Sequence, residues 1–202
     1  MKVILVNGSP REKGCTYTAL CEVAGALEKN GIETEIFQVG AKPIAGCIGC
    51  NVCLKNGRCF VDDPVNEAKT ADGFVFGSPV HYAAASGAIT SFLDRAFYGK
   101  GNVFAGKPGA AVVSCRRGGA ASAFDQLNKY FTINSMPVVS SQYWNQVHGN
   151  TPDEVRQDAE GLQTMRTLGS NMAWLLKCIQ AGAAAGITFP EREPAMKTNF
   201  IR

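Results

Sequence analysis

Four cysteines fall within one short stretch, Cys47, Cys50, Cys53 and Cys59, spaced C-x2-C-x2-C-x5-C. Thiolates this close can ligate one small inorganic centre, and consecutive C-x2-C steps suit a [4Fe–4S] cubane held by four sulfurs. Gly46 and Gly49 permit the tight folds that such a centre needs. The bacterial ferredoxin run ends C-x3-C-P, whereas Phe60 follows Cys59 here. Structural zinc uses two separated C-x2-C pairs, and these pairs overlap. A catalytic dithiol would open a helix of a βαβ unit, which this stretch does not do. The stretch therefore reads as the ligand set of an iron–sulfur cluster or as thiols with no inorganic partner, with zinc or a redox disulfide as the weaker alternative. Cys15, Cys21, Cys115 and Cys178 are scattered and read as small apolar fillers.

A second chemical signal follows the first apolar run. Asn7-Gly8-Ser9-Pro10-Arg11-Glu12-Lys13-Gly14-Cys15-Thr16 joins a strand pattern to a helix pattern. A helix start offers unpaired backbone N–H groups and the positive end of the dipole, which favour a phosphate. Ser9 and Thr16 add hydroxyls, Arg11 adds a charge-assisted bond, and Gly8 and Gly14 let the backbone curl round the anion. The turn lacks both the G-x-G-x-x-G of a dinucleotide fold and the G-K-[ST] of a nucleoside triphosphate loop. Two further loops, one through Ser78-Pro79-Val80-His81-Tyr82 and one through Ser114-Cys115-Arg116-Arg117-Gly118-Gly119, follow later strand patterns. In an open parallel sheet such loops meet at the carboxyl edge, where a flat ligand with a phosphate tail can lie across them. His81 is as readily a hydrogen-bonded structural residue as a proton donor. Residues 143–149 form a polar-aromatic loop expected on the same edge, either lining the cleft or meeting another subunit.

The elements that must hold these loops alternate between period 2 and period 3.6. Apolar runs predict strands at residues 2–7, 32–39, 72–77, 109–115 and 137–142. Helical spacing predicts helices at 16–29, 86–98, 120–135 and 152–183, the last with Met165, Leu168, Met172, Leu175 and Ile179 on its inner stripe. Alternating strands and helices make an α/β fold: a doubly wound five-stranded parallel sheet of flavodoxin-like order 2-1-3-4-5. The cysteine-rich stretch, residues 44–61, becomes an insertion after the second strand. With 202 residues, the expectation is one domain over 1–187 and an extended tail over 188–202.

Composition narrows the classes. Apolar residues make up 46% and charged residues 18%, enough for a full core. The net charge of +3 comes without a like-charge block or an aromatic-laced basic stripe, which argues against nucleic acid. No apolar stretch reaches the roughly 18 residues of a membrane span. The opening residues read as a strand rather than a signal peptide, so a cytoplasmic protein is expected. In that compartment eight cysteines argue for metal, cluster, redox or core roles rather than a disulfide framework.

Taken together, Gly8-Ser9-Pro10-Arg11, Gly14, Thr16, the run from Ser78 to Tyr82, Ser86-Gly87, Asp94-Arg95, Gly118-Gly119, the cysteine stretch as far as Asp63 and the closing Thr198-Asn199-Phe200-Ile201-Arg202 resemble the NADPH-dependent FMN reductase and iron–sulfur flavoprotein family. The resemblance implies a bound FMN, with its phosphate on Ser9, Arg11, Gly14 and Thr16. It implies an isoalloxazine against Pro79, Val80, His81 and Tyr82, with Ser114, Arg116, Gly118 and Gly119 closing the third side. Many relatives carry Asn where this chain has Cys15; the backbone N–H there still serves. The resemblance further implies an oxidoreductase in which NAD(P)H gives hydride to the flavin and electrons pass to a quinone, a flavin, another small molecule or a protein. Two alternatives are an iron–sulfur flavoprotein moving single electrons through FMN and a [4Fe–4S] cluster, and a flavodoxin-type carrier without catalysis. The cofactor carries the chemistry, so no catalytic side chain is expected. A homodimer or homotetramer is expected.

Overall fold

A computed structural model describes residues 1–61, 70–99, 101–194, 196 and 198. Asp62 and Asp63 of the cysteine stretch and the closing residues 199–202 lie outside the described residues.

The order is β1 (Lys2–Asn7), α1 (Cys15–Lys29), β2 (Glu33–Gln38), α2 (Val52–Asn56), β3 (Gly73–His81), β4 (Ala84–Ala85), α3 (Gly87–Tyr98), a 3-10 turn (Gly101–Phe104), β5 (Gly109–Cys115), α4 (Ala120–Ile133), β6 (Gln146–His148), α5 (Pro152–Gln157) and α6 (Ala159–Ala184). The parallel sheet runs β2-β1-β3-β5-β6, and β4 folds back antiparallel on β3. Omitting that short hairpin strand, this is the expected five-stranded flavodoxin-like order.

β1, β3 and β5 are nearly continuous apolar runs because both faces of the sheet are covered. One face packs under α3 and α4 around Phe74, Phe76, Phe92, Phe97, Phe104 and Phe131. Phe76 and Phe131 stack there, 5.4 Å between centroids and 5° from parallel. Truncating Phe131, which is fully buried, costs about 3–5 kcal/mol by leaving a cavity. The other face carries α1, α5 and α6 through Leu20, Val23, Leu27, Met165, Leu168 and Met172.

Three expectations need correction. β3 runs on through Ser78–His81, which is therefore strand end rather than loop: Pro79 pairs in register with Ser114 of β5. The fifth strand is at Gln146–His148 and not at 137–142. Val138 bridges Gly109 and the Val139 N–H reaches the Gly109 carbonyl at 2.9 Å, so the apolar run does touch the sheet. The next contact is Val113 with Gln146: four residues of β5 face eight of the edge chain, and the excess is thrown out as a loop that exposes Tyr143 and Trp144. The helix expected over 152–183 is two helices. Asp158 leaves helical geometry (ψ 78°), and its carboxylate takes the Gly161 N–H at 2.9 Å, capping α6. On α6, Met165, Leu168 and Met172 are buried as expected, but Ile179 is exposed.

Candidate functional site

Parallel register fixes what stands at the carboxyl edge. Asn7 is level with Gln38 of β2 and Gly77 of β3, Pro79 with Ser114, and Cys115 with His148. Side chains far apart in sequence therefore bond across the edge. Asn7, fully buried, donates from Nδ2 to Gln38 Oε1 (2.6 Å) and to the Glu12 carbonyl (3.0 Å), and its Oδ1 accepts the Ser9 N–H (3.1 Å). Gln38 Nε2 donates to the Ser9 carbonyl at 2.7 Å. The turn after β1 is thus held from both ends by two amides. Ser9 Oγ accepts the Arg11 N–H at 3.1 Å, closing the turn on itself. Gly40 makes room: a Cβ there would lie 2.1 Å from the Ser9 carbonyl oxygen.

Gly14 is the N-cap of α1 and provides no side-chain cap, so this helix end presents its first N–H groups to the cleft. Thr16 and Ser114 hydroxyls meet at 2.7 Å, both buried. Ser86 ties the second loop to the first: its Oγ donates to the Gly8 carbonyl at 2.7 Å, and its N–H donates to Ser78 Oγ at 2.9 Å. The β3–β4 hairpin turns on Tyr82 (φ 51°) and Ala83 (φ 58°), a left-handed pair that costs non-glycine residues energy and is typical of functional loops.

The result is a cleft of about 270 Å³ lined by Ser9, Pro10, Arg11, Cys15, Thr16, Pro79, Val80, His81, Ser114, Cys115, Arg116, Gly149 and Asn150. Nine of the residues singled out from the sequence line it: Ser9, Arg11, Cys15, Thr16, Pro79, Val80, His81, Ser114 and Arg116. Gly14 stands just behind as the helix cap, Tyr82 projects fully exposed at the hairpin tip, and Gly119 packs against Ala83 and Val80, while Gly118 faces open space. Asn150 had no signal in the sequence, because the misplaced fifth strand hid that residues 149–150 follow its carboxyl end. Cys115 Sγ lies 3.4 Å from His148 Nδ1, and Cys15 Sγ donates to the Gly149 carbonyl at 3.7 Å. Burial raises both thiols above the usual cysteine range, more than their hydrogen bonds lower them, so both stay protonated near neutrality. Two guanidinium groups, a ring of hydroxyls and an open helix end beside Pro79 and Val80 fit a flat ligand with an anionic tail, such as FMN.

A second cavity of about 60 Å³ is lined by all four clustered cysteines together with Ala45, Gly46, Ile48, Asn51, Phe60, Val61, Arg95 and Tyr98. Asn51 (φ 59°) and Gly57 (φ 75°) cap the short α2 that carries Cys53. Cys47 and Cys50 are exposed, and Cys53 and Cys59 are half-buried. Among the described residues no three His, Cys, Asp or Glu side chains converge as a single-ion site. A tetrahedral zinc demands such convergence. A cubane gives each thiolate a separate iron, so four sulfurs spread around one cavity match its donor set. Arg95 and Tyr98 enter this wall from α3, a contribution that cysteine spacing does not reveal.

Fold and cleft define a flavodoxin-like α/β protein with a nucleotide-type pocket at the carboxyl edge of its sheet. The chain belongs to the NADPH-dependent FMN reductase family, whose model matches residues 1–151. It is similar to an iron–sulfur flavoprotein of Methanocaldococcus jannaschii, 35% identical over 89% of this chain and 100% of that one. It is also similar to an iron–sulfur flavoprotein of Archaeoglobus fulgidus, 30% identical over 87% of this chain and 97% of that one. Among solved structures, RosB with a bound formylriboflavin phosphate superposes with a TM-score of 0.70 at 17% identity, covering 100% of this chain and 96% of that chain. That likeness establishes the fold alone. The protein is accordingly a flavoprotein-family oxidoreductase. No helix among the described residues is long and apolar enough to cross a membrane.

Proposed function

We propose that this chain is an iron–sulfur flavoprotein: an FMN-dependent oxidoreductase that also holds a [4Fe–4S] cluster and passes electrons to a small-molecule or protein acceptor. The observation that carries the reading is the presence of two separate cavities in one chain, a three-loop cleft lined by Arg11, Arg116 and the start of α1, and a wall bearing all four clustered cysteines.

In this reading Ser9, Arg11, Thr16 and the N–H groups at the Gly14 cap bind the phosphate. Arg116 adds positive charge at the third loop, where it also favours an anionic reduced ring. Pro79, Val80 and His81 bed the ring, and the Tyr82–Ala83 turn borders its exposed side. Asn7 and Gln38 do not touch the ligand; they hold the Ser9 turn in place. Cys47, Cys50, Cys53 and Cys59 ligate the cluster. When bound, FMN supplies exchange between two-electron and one-electron chemistry, and the cluster supplies single-electron transfer. The protein's own part is orientation, charge compensation and restriction of water. Reduced nicotinamide nucleotide is the proposed electron source, on the strength of the family to which the chain belongs.

Anaerobic purification followed by iron, acid-labile sulfide and flavin analysis tests the reading. About four irons, four sulfides and one FMN per chain are expected for one such cluster. Protein with FMN but no iron leaves a plain flavin reductase. Protein that binds no added FMN ends the reading. Stopped-flow bleaching of the flavin on mixing with NADH or NADPH tests the donor.

A further inference from the structure

Helix α3 runs from one cavity to the other. It begins at Ser86, which bonds the phosphate turn, and ends at the cysteine wall. Its last turn brings three things there. The first is its own carbonyl end, which carries the negative pole of the helix dipole, about half a charge. The second is Gly99, whose missing side chain admits Cys53: a Cβ at that position would lie 2.0 Å from Cys53 Sγ. The third is Arg95, with 6% of its surface exposed, lining the same cavity as the four cysteines.

These facts conflict unless Arg95 resolves them. A cluster with four thiolates is net negative and becomes more so on gaining an electron. A helix carbonyl end beside it opposes that electron. A buried guanidinium in the same turn offsets both, and in a poorly solvated wall its effect exceeds that of a surface cation. We propose that Arg95 sets the charge balance of the four-cysteine site and raises the reduction potential of the cluster it holds. The proposal rests on the iron–sulfur reading above. Arg95 acts on the electrostatic surroundings and is a positioning residue, not a ligand.

The test uses anaerobically purified holoprotein and a redox titration followed by EPR for the cluster and by absorbance for FMN. Arg95→Gln is expected to lower the one-electron reduction equilibrium of the cluster at least tenfold, about 59 mV towards negative potential. Arg95→Lys, which keeps the charge, should recover most of that shift. The FMN potential should hold in both, since Arg95 is absent from the flavin cleft. A second variant avoids the buried position: Tyr98→Lys, at an exposed residue on the same wall, should move the cluster potential upward. An unchanged cluster potential in Arg95→Gln, or equal shifts in Arg95→Gln and Arg95→Lys, overturns the proposal. So does a loss of thermal stability alone, which would mark Arg95 as only a helix-end cation. If Arg95→Gln does not fold, an unmoved potential in Tyr98→Lys overturns it. Wild-type protein devoid of iron and sulfide sinks the underlying reading instead, a result visible before any variant is made.

Discussion

Thr16 and Ser114, 98 residues apart, share one hydrogen bond of 2.7 Å on the floor of the cleft. Both are almost wholly shielded from solvent. The bond joins the first turn of α1 to the carboxyl end of β5, so the start of α1 and the third loop are one unit. Removing one hydroxyl strands the other, at about 1–3 kcal/mol. Thr16→Val should therefore lower the melting temperature and weaken FMN binding roughly tenfold, about 1.4 kcal/mol. The double variant Thr16→Val with Ser114→Ala should cost less than the sum of the two single changes. Thermal melts and FMN fluorescence titrations of all four proteins check this.

Gly40 governs the other side of the same turn. Its missing Cβ would stand 2.1 Å from the Ser9 carbonyl and 2.8 Å from the Gly8 carbonyl. Backbone atoms cannot yield as a flexible side chain can. Gly40→Ala should cost about 1–3 kcal/mol of stability by overpacking. It should also weaken FMN binding, because the Ser9 turn must shift. Gly25→Ala, with open space around it in the interior of α1, is the control: it should leave FMN binding unchanged and raise stability by about 1 kcal/mol through helix propensity.

Tyr130 links α4 to α3 through a 2.6 Å bond from its hydroxyl to Asp94 Oδ1. Burial, then the Asp94 hydrogen bond and the Asp94 charge, push its ionisation well above the usual tyrosine value. An unfolded tyrosine ionises near pH 10, roughly. The resulting stability is fully present below that pH and is lost as pH rises through it towards the folded value. Urea midpoints should fall above about pH 10 more steeply in the wild type than in Tyr130→Phe.

The two cavities have no lining residue in common. Cys50→Ser, at an exposed position, should abolish most cluster iron while FMN stoichiometry and affinity stay at wild-type levels. Iron analysis alongside a flavin titration reads both at once. Loss of FMN in step with iron would show the sites to be coupled in assembly.

Much of the edge was legible from residue types alone. Ser9, Arg11 and Thr16 stand out because a strand-to-helix turn with hydroxyls, glycines and a cation has one familiar use. Pro79, Val80, His81, Ser114 and Arg116 follow once the strands are taken as parallel, since their loops must share an edge. Asn150 did not, because the run at 137–142 has strand character and does bridge Gly109. Propensity cannot tell that Gln146, rather than the next residue along, will pair with Val113. Asn7 and Gln38 carry no local signal either; their bond exists only because β1 and β2 lie in that register.

By itself the chain's order of residues determined the alternation of strands and helices and the place of most of them, that the strands run parallel, and that four thiols sit on one short insertion. Those properties depend on neighbours within a few positions: apolar period, turn chemistry and spacing. Only the folded form decided that Gly40 lies under Ser9, that α5 and α6 part at Asp158, and that Arg95 of α3 faces the cysteine wall. The Gly40 and Arg95 contacts join residues tens of positions apart. They are chosen by packing and strand register, which belong to the whole core rather than to any one segment of it.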